Sequence, residues 1–196
     1  MDSKLNDKAL DILYRNARSF SYWLDKDVSN QQLEEIYELM KMGPTAANCC
    51  PIRIVFVRSQ DAKKQLRAHL DEGNIEKSMT APVVAIFAMD LEFYEKLPLL
   101  FPHTDARSWY AGKPEKISKT AERNSLLQAA YFILAARSMG LDTGPMSGFN
   151  NVSLDQEFFP DGKLKSLFIC ALGYGNKEKL YPRGPRLSFD EVCTVK

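Results

Sequence analysis

The feature that most constrains this chain is its longest helical pattern, residues 117 to 139. After Asn124 the pattern is apolar nearly all round: Leu126, Leu127, Ala129, Ala130, Tyr131, Phe132, Ile133, Leu134, Ala135 and Ala136 leave no polar face. A helix of that kind must be covered on most sides. It is either the central core helix or a helix that packs against its own copy. Leu126 to Met139 falls short of the ~20 residues that a bilayer requires, and Gln128, Arg137 and Ser138 interrupt it, so no membrane span is expected. Gly140 follows as a natural left-handed cap.

The other elements fall around this helix. Residues 5 to 16 read as a short amphipathic helix. Ser29 and Gln32 form a capping-box signature that opens a helix carrying Leu33, Ile36, Tyr37 and Met40, which stops at Gly43-Pro44. Residues 51 to 57 read as a buried strand and 60 to 70 as a helix. Residues 81 to 88 form a second strand, apolar without alternation, as in a sheet covered on both faces. A short helix over 154 to 159, a third strand over 167 to 172 and a short edge strand over 192 to 195 complete the pattern. The fold class is an α+β sandwich: one domain over 1–196, with a small mixed sheet covered by helices on both faces.

Composition narrows the function. Lys+Arg (26) nearly balance Asp+Glu (25), for a net charge of +1, which argues against a dedicated nucleic-acid binder. Two His far apart and four Cys without zinc spacing argue against a His/Cys metal enzyme. No G-x-S-x-G elbow supports a serine nucleophile. The N-terminal residues carry no apolar signal core, so the cytoplasm is the expected compartment.

Five segments exceed what a generic fold needs. Arg18, Ser19 and Ser21 place a guanidinium beside two hydroxyls, a set that can hold a phosphate or simply end a helix. Pro44, Thr45, Ala46 and Asn48 lie in a small-residue loop that lets backbone approach a flat ligand, or merely joins helix to strand. Pro145, Met146, Ser147 and Gly148 form a turn whose amides can donate to a ring, or a tight connection. Residues 177 to 186 hold four basic side chains, among them Arg183 and Arg186, against the single Glu178. Such a cluster attracts a phosphate or stays a solvated turn. Residues 97 to 110, with Phe101, His103, Arg107, Trp109 and Tyr110, form a lid over an anionic molecule or pack onto the core.

The order of these segments resembles the FMN-dependent nitroreductase family over essentially the whole chain. Within it, GPTAANCCPIRIVFVR, FYEKLPLLFPHTDARSW, GLDTGPMSGF, GYGNKEKLY and PRLSFDE are most similar to the malonic semialdehyde reductase group of pyrimidine degradation. The resemblance implies a three-layer homodimer with FMN at its interface. NADH or NADPH would pass a hydride to flavin N5, and the substrate would then take the same place in a ping-pong scheme. It implies that Arg18, Ser19 and Ser21 bind the phosphate, ribityl chain or pyrimidine edge, and that Arg183 and Arg186 reach the phosphate. Pro44, Thr45, Ala46 and Asn48 would line the flavin from the other subunit. Asn74 would lie near the pyrimidine edge, and residues 145 to 148 would flank the ring. Two positions depart from the family pattern: Cys50, where Gln is common, and Ser21, where a basic residue is common. On this reading the substrate is malonic semialdehyde, reduced to 3-hydroxypropionate, with Arg107 holding its carboxylate and His103 polarising its carbonyl. A broad-specificity nitroaromatic or quinone reductase and a non-catalytic flavin-binding protein are the alternatives.

Overall fold

The computed structural model describes residues 4–196. Four strands form one sheet in the order β1-β2-β4-β3: β1 (Ile52–Val57), β2 (Val83–Asp90), β3 (Asp142–Met146) and β4 (Leu164–Gly173). Every pairing among the four is antiparallel. The expected mixed sheet is thereby corrected. A strand buried on both faces has the same unbroken apolar composition whichever way its neighbours run, so composition could not fix direction. The sole parallel pairing among the described residues is the isolated bridge between Ser19 and Thr143.

The central strand β2 explains the layering. Val83, Ala85 and Phe87 point to one face, where they meet Leu33, Ile36 and Met40 of α2 (Asn30–Met40) and Ala129, Phe132 and Ala136 of α6 (Pro114–Ser138). Val84, Ile86 and Ala88 point to the other face. There they meet Leu66 of α3 (Gln60–Arg67), Ile75 and Met79 of α4 (Glu72–Thr80) and Leu154 of α7 (Asn151–Phe158). Both sides of the pleat are therefore dry, and no polar alternation is needed. A third cluster, built by Cys49, Phe93, Leu97, Ala106, Tyr110, Ile117 and Ala121, packs the 91–110 segment, including α5 (Leu97–Leu100), against the start of α6.

The capping box of α2 forms as expected: Ser29 Oγ accepts from Gln32 N and Gln32 Oε1 accepts from Ser29 N. The first helix is split into α1 (Asp7–Leu10) and a wider turn over Asp11–Arg15. The strand expected over 192 to 195 is absent: α8 (Phe189–Val192) occupies its start, opened by a second capping box between Ser188 and Glu191. Besides α5 and α8, two elements exceed expectation. One is α4, whose EGNIEKSMT sequence offers little apolar periodicity; the other is β3, whose Gly144-Pro145 reads as a turn. Proline is accommodated in β3 because that strand lies at the sheet edge. No described helix is long and apolar enough to cross a membrane.

Only one face of α6 is used by the core. Asn124, Gln128, Phe132 and Ala135 are buried, whereas Leu126, Leu127 and Tyr131 are 39–50% exposed.

Candidate functional site

The segment 19–24 threads between β3 and the chain that leaves β4. Phe20 N donates to Thr143 O (3.0 Å), Leu24 N to Tyr174 O (2.8 Å) and Asn176 N to Tyr22 O (2.9 Å). Phe20 is buried over Gly175, and a Cβ at Gly144 would collide with the Phe20 carbonyl, so both glycines are required by close approach. This threading fixes Arg18 at the mouth of a cavity of about 230 Å³ lined by Ala17, Arg18, Ser19, Arg137, Gly184, Arg183 and Arg186. None of these described lining residues is acidic. Four guanidiniums thus line it, a set that can hold a multiply charged anion, while a larger cavity that shares Ala17, Arg18, Arg137 and Arg183 is also lined by Asp11 and Asp142.

The arginines are braced by backbone carbonyls. Arg18 donates to Tyr181 O, and Arg183 donates to Arg15 O (2.7 Å) and Ala17 O (2.8 Å). Arg186 donates to the carbonyls of Gly184 and Pro185. Tail and N-terminal segment therefore clasp each other around the cavity. Ser21, half-buried, does not line it. Arg137, at the end of α6, was not singled out as a site residue from the sequence. Its signal was there: it is the charge that interrupts the apolar 126–139 run.

Beyond the cavity, β3 leads to residues 145–148. Gly148 O accepts from Asn74 Nδ2 (2.9 Å) and from Asp71 N (3.1 Å). Asn74 Oδ1 accepts from Lys77 Nζ (3.3 Å), and Trp23 Nε1 donates to Lys77 O (3.0 Å). Asn74 therefore holds the 147–148 turn, while Pro145 and Ser147 stand exposed on its surface. The structure thus joins Arg18, Ser19, Asn74, residues 145–148, Arg183 and Arg186 along one edge of the sheet.

Residues 44–50 form a second group. Ala47, Asn48 and Cys50 all have positive φ (50°, 50° and 40°), a costly conformation for side chains with a Cβ. Two anchors from neighbouring elements and one bond within the loop hold it. Ala46 N donates to Asn124 Oδ1 (2.7 Å), Asn48 Nδ2 to Leu100 O (2.9 Å) and Cys50 N to Thr45 Oγ1 (3.2 Å). Among the described residues no hydrogen bond joins this loop to β3 or to the arginine cavity. Asn124 is the second residue that sequence reasoning missed, because a buried helical Asn looks like any other polar interruption. Burial pushes the Cys49 thiol up to about 11, and the neighbouring Cys50 adds to this.

The 97–110 segment abuts that loop through Asn48. Its Leu97, Ala106 and Tyr110 side serves the core, together with Phe93 just before it. Arg107 is exposed and paired in bidentate fashion with Glu95 (2.7 Å to each oxygen), which holds Arg107 above and Glu95 below their ordinary pKa values. His103 is exposed, its ring edge-on to Phe101 at 5.5 Å.

The nitroreductase family model matches residues 14–174, most of the chain and all of the sheet. The chain belongs to the nitroreductase family. Its fold is shared with solved nitroreductase-type structures at low sequence identity. A Bacillus subtilis protein described as a nitroreductase is 23% identical with a TM-score of 0.88, over 97% of this chain and 100% of that one. A Staphylococcus epidermidis protein described as an NAD(P)H:FMN oxidoreductase is 18% identical with a TM-score of 0.86, over 100% and 99%. An Exiguobacterium sibiricum nitroreductase-type protein, solved in complex with FMN, is 17% identical with a TM-score of 0.85, over 98% and 99%. In this nitroreductase the family match includes Arg18, the 44–50 loop and residues 145–148, but stops before Arg183 and Arg186.

Proposed function

We propose that this nitroreductase is an NAD(P)H-dependent FMN oxidoreductase, one FMN-binding domain per chain, working as a homodimer. The observation that carries the reading is the arginine cavity at one end of an edge strand whose other end presents the 145–148 backbone. A phosphate at the first and a flat ring along the second suit one FMN. When bound, FMN supplies the redox centre, which accepts and donates hydride. The chain's residues do the rest. The arginines neutralise the phosphate, and Asn74 fixes the turn that faces the ring.

The 44–48 loop fits this reading if it comes from a second copy. It is separate from β3 within one chain, and it borders an apolar face. Tyr131 packs against Gly43, Leu126 and Leu127 are exposed, and so are Tyr37, Leu39 and Met42. The exposed tail residues Leu187, Phe189 and Val192 offer further surface for a partner chain.

The substrate we propose is malonic semialdehyde, reduced to 3-hydroxypropionate. Arg107 would hold its carboxylate after exchanging it for Glu95, and His103 would give a proton to the carbonyl oxygen. The Arg107–Glu95 pairing favours a second reading, a nitroaromatic or quinone reductase, because the fork is already filled and Trp109 is left exposed beside it. Stopped-flow reduction of the yellow holoenzyme by NADH and by NADPH, then reoxidation by malonic semialdehyde or by a nitroaromatic, separates the two. Reoxidation by the aldehyde supports the first reading. Failure with the aldehyde and success with the aromatic supports the second. A bound flavin that neither nicotinamide reduces leaves a non-catalytic flavin carrier, and a colourless protein that takes up no FMN refutes all of these.

A further inference from the structure

We propose that Arg137 is a further phosphate-binding residue, one that makes this chain select a phosphorylated flavin over the unphosphorylated form. The proposal rests on the FMN reading and extends it to a residue outside the N-terminal and C-terminal arginine segments. Arg137 lines the cavity from the last turn of α6. Nη1 donates to Leu13 O (3.0 Å), which fixes the side chain against the N-terminal helix. Nε is buried and has no protein partner. A buried guanidinium N–H left unsatisfied is costly, and native structures seldom keep one without an acceptor.

The surroundings specify that acceptor. Burial holds Arg137 below the ordinary arginine pKa, Asp142 offsets part of this, and Arg183 adds to it. Asp142 Oδ2 accepts from Gly175 N (3.0 Å), and among the described residues no hydrogen bond or ion pair joins Asp142 to Arg137. A phosphate monoester, with three acceptor oxygens and close to two negative charges at pH 7, satisfies Nε and relieves the repulsion between the arginines at once. The ribityl hydroxyl of a dephosphorylated flavin supplies one neutral oxygen, which can accept a single weaker hydrogen bond but leaves the repulsion between the arginines in place.

The test titrates the full-length chain with FMN and with riboflavin, for wild type, Arg137→Met and Arg137→Lys. Loss of one or two charge-assisted hydrogen bonds predicts that Arg137→Met weakens FMN about tenfold to a hundredfold and leaves riboflavin unchanged. Arg137→Lys keeps a cation near Leu13 O but loses the planar fork, so an intermediate loss confined to FMN is expected. Should Arg137→Met fail to fold, the lysine variant carries the same comparison. Equal weakening of both flavins, or no change in either, overturns the proposal and reduces Arg137 to a brace for Leu13. Wild-type protein that binds neither flavin refutes the FMN reading instead, so the two failures are distinct.

Discussion

Replacing Asn124 by alanine should loosen the 44–50 loop while leaving the sheet intact. Asn124 is 6% exposed and bonds two ways: its Oδ1 accepts from Ala46 N at 2.7 Å and its Nδ2 donates to Thr120 O at 2.8 Å. Thr120 O keeps its helical bond, so the loss falls on the Ala46 amide. Leaving such a group unsatisfied costs about 1–3 kcal/mol. The loop also contains Ala47, Asn48 and Cys50 at positive φ, each held against a preference of about 1–2 kcal/mol. With its anchor gone, the loop recovers some of that strain by relaxing. This limits the global loss and turns it into local opening. For 196 residues the unfolding entropy is about 0.4 kcal/mol/K, so the melting temperature should fall by about 2–7 °C. Thermal unfolding measures the first effect. Native-state hydrogen exchange at residues 46–50 measures the second, expected to rise well beyond the change in the β2 amides. A melting temperature unchanged within 1 °C, together with unchanged exchange in the loop, would refute the claim that Asn124 holds strained backbone in place.

Gly144→Ala puts a Cβ into the Phe20 carbonyl, and neither backbone can yield; a loss of about 1–3 kcal/mol in urea unfolding is expected, with faster proteolysis after Arg15 and Arg18. Gly148→Ala places its Cβ 2.5 Å from Asn74 Nδ2, so it should keep the melting temperature but weaken flavin binding by displacing Asn74; equal binding would contradict the role given to that turn. Burial raises the Asp142 pKa more than Gly175 N–H, Lys177 and Arg137 lower it. A raised folded pKa gives stability that is full below the unfolded pKa of about 3.9 and is lost as pH rises through the folded one. Asp142→Asn should therefore gain on wild type at pH 7, by under about 1 kcal/mol for a partly solvated group, and lose the gain near pH 3; parallel stability curves would count against this. Iodoacetamide should label exposed Cys193 first and Cys50 next, sparing Cys49 and Cys170, whose thiols burial pushes up to about 11 and about 12; mass spectrometry of the native protein reads the order.

What could be read from the sequence depended on whether a residue's chemistry was local. The Ser29–Gln32 box involves residues three apart and was legible, as was the unbroken apolar run of β2. The Ser188–Glu191 box carries the same signature, but the valines after it suggested a strand. Gly144 and Pro145 concealed β3, because both signal a turn unless one knows that the strand is at an edge and that Phe20 passes over it. Arg18 and the 183–186 arginines were legible as cations in search of an anion. Arg137 showed only as a charge interrupting an apolar run, because the arginines that are its neighbours in space lie far from it in sequence. Asn124 escaped notice for the same reason: its partner is Ala46, and only the tertiary fold brings the two together.

The strand order has a consequence for how the chain must be made. β1 and β2 can pair as soon as residue 90 exists, but β2's other edge and the whole of β3 wait for β4, with Val83 opposite Leu172 and Thr143 opposite the same residue. Until then a nascent chain carries VVAIFAM with one edge unpaired, a hydrophobic, uncharged, β-prone stretch of the kind that templates aggregation. Folding is thus gated by a late, long-range closure, a slow class of event. A ribosome that stalls between residues 146 and 164 would release a fragment that is sticky rather than merely incomplete.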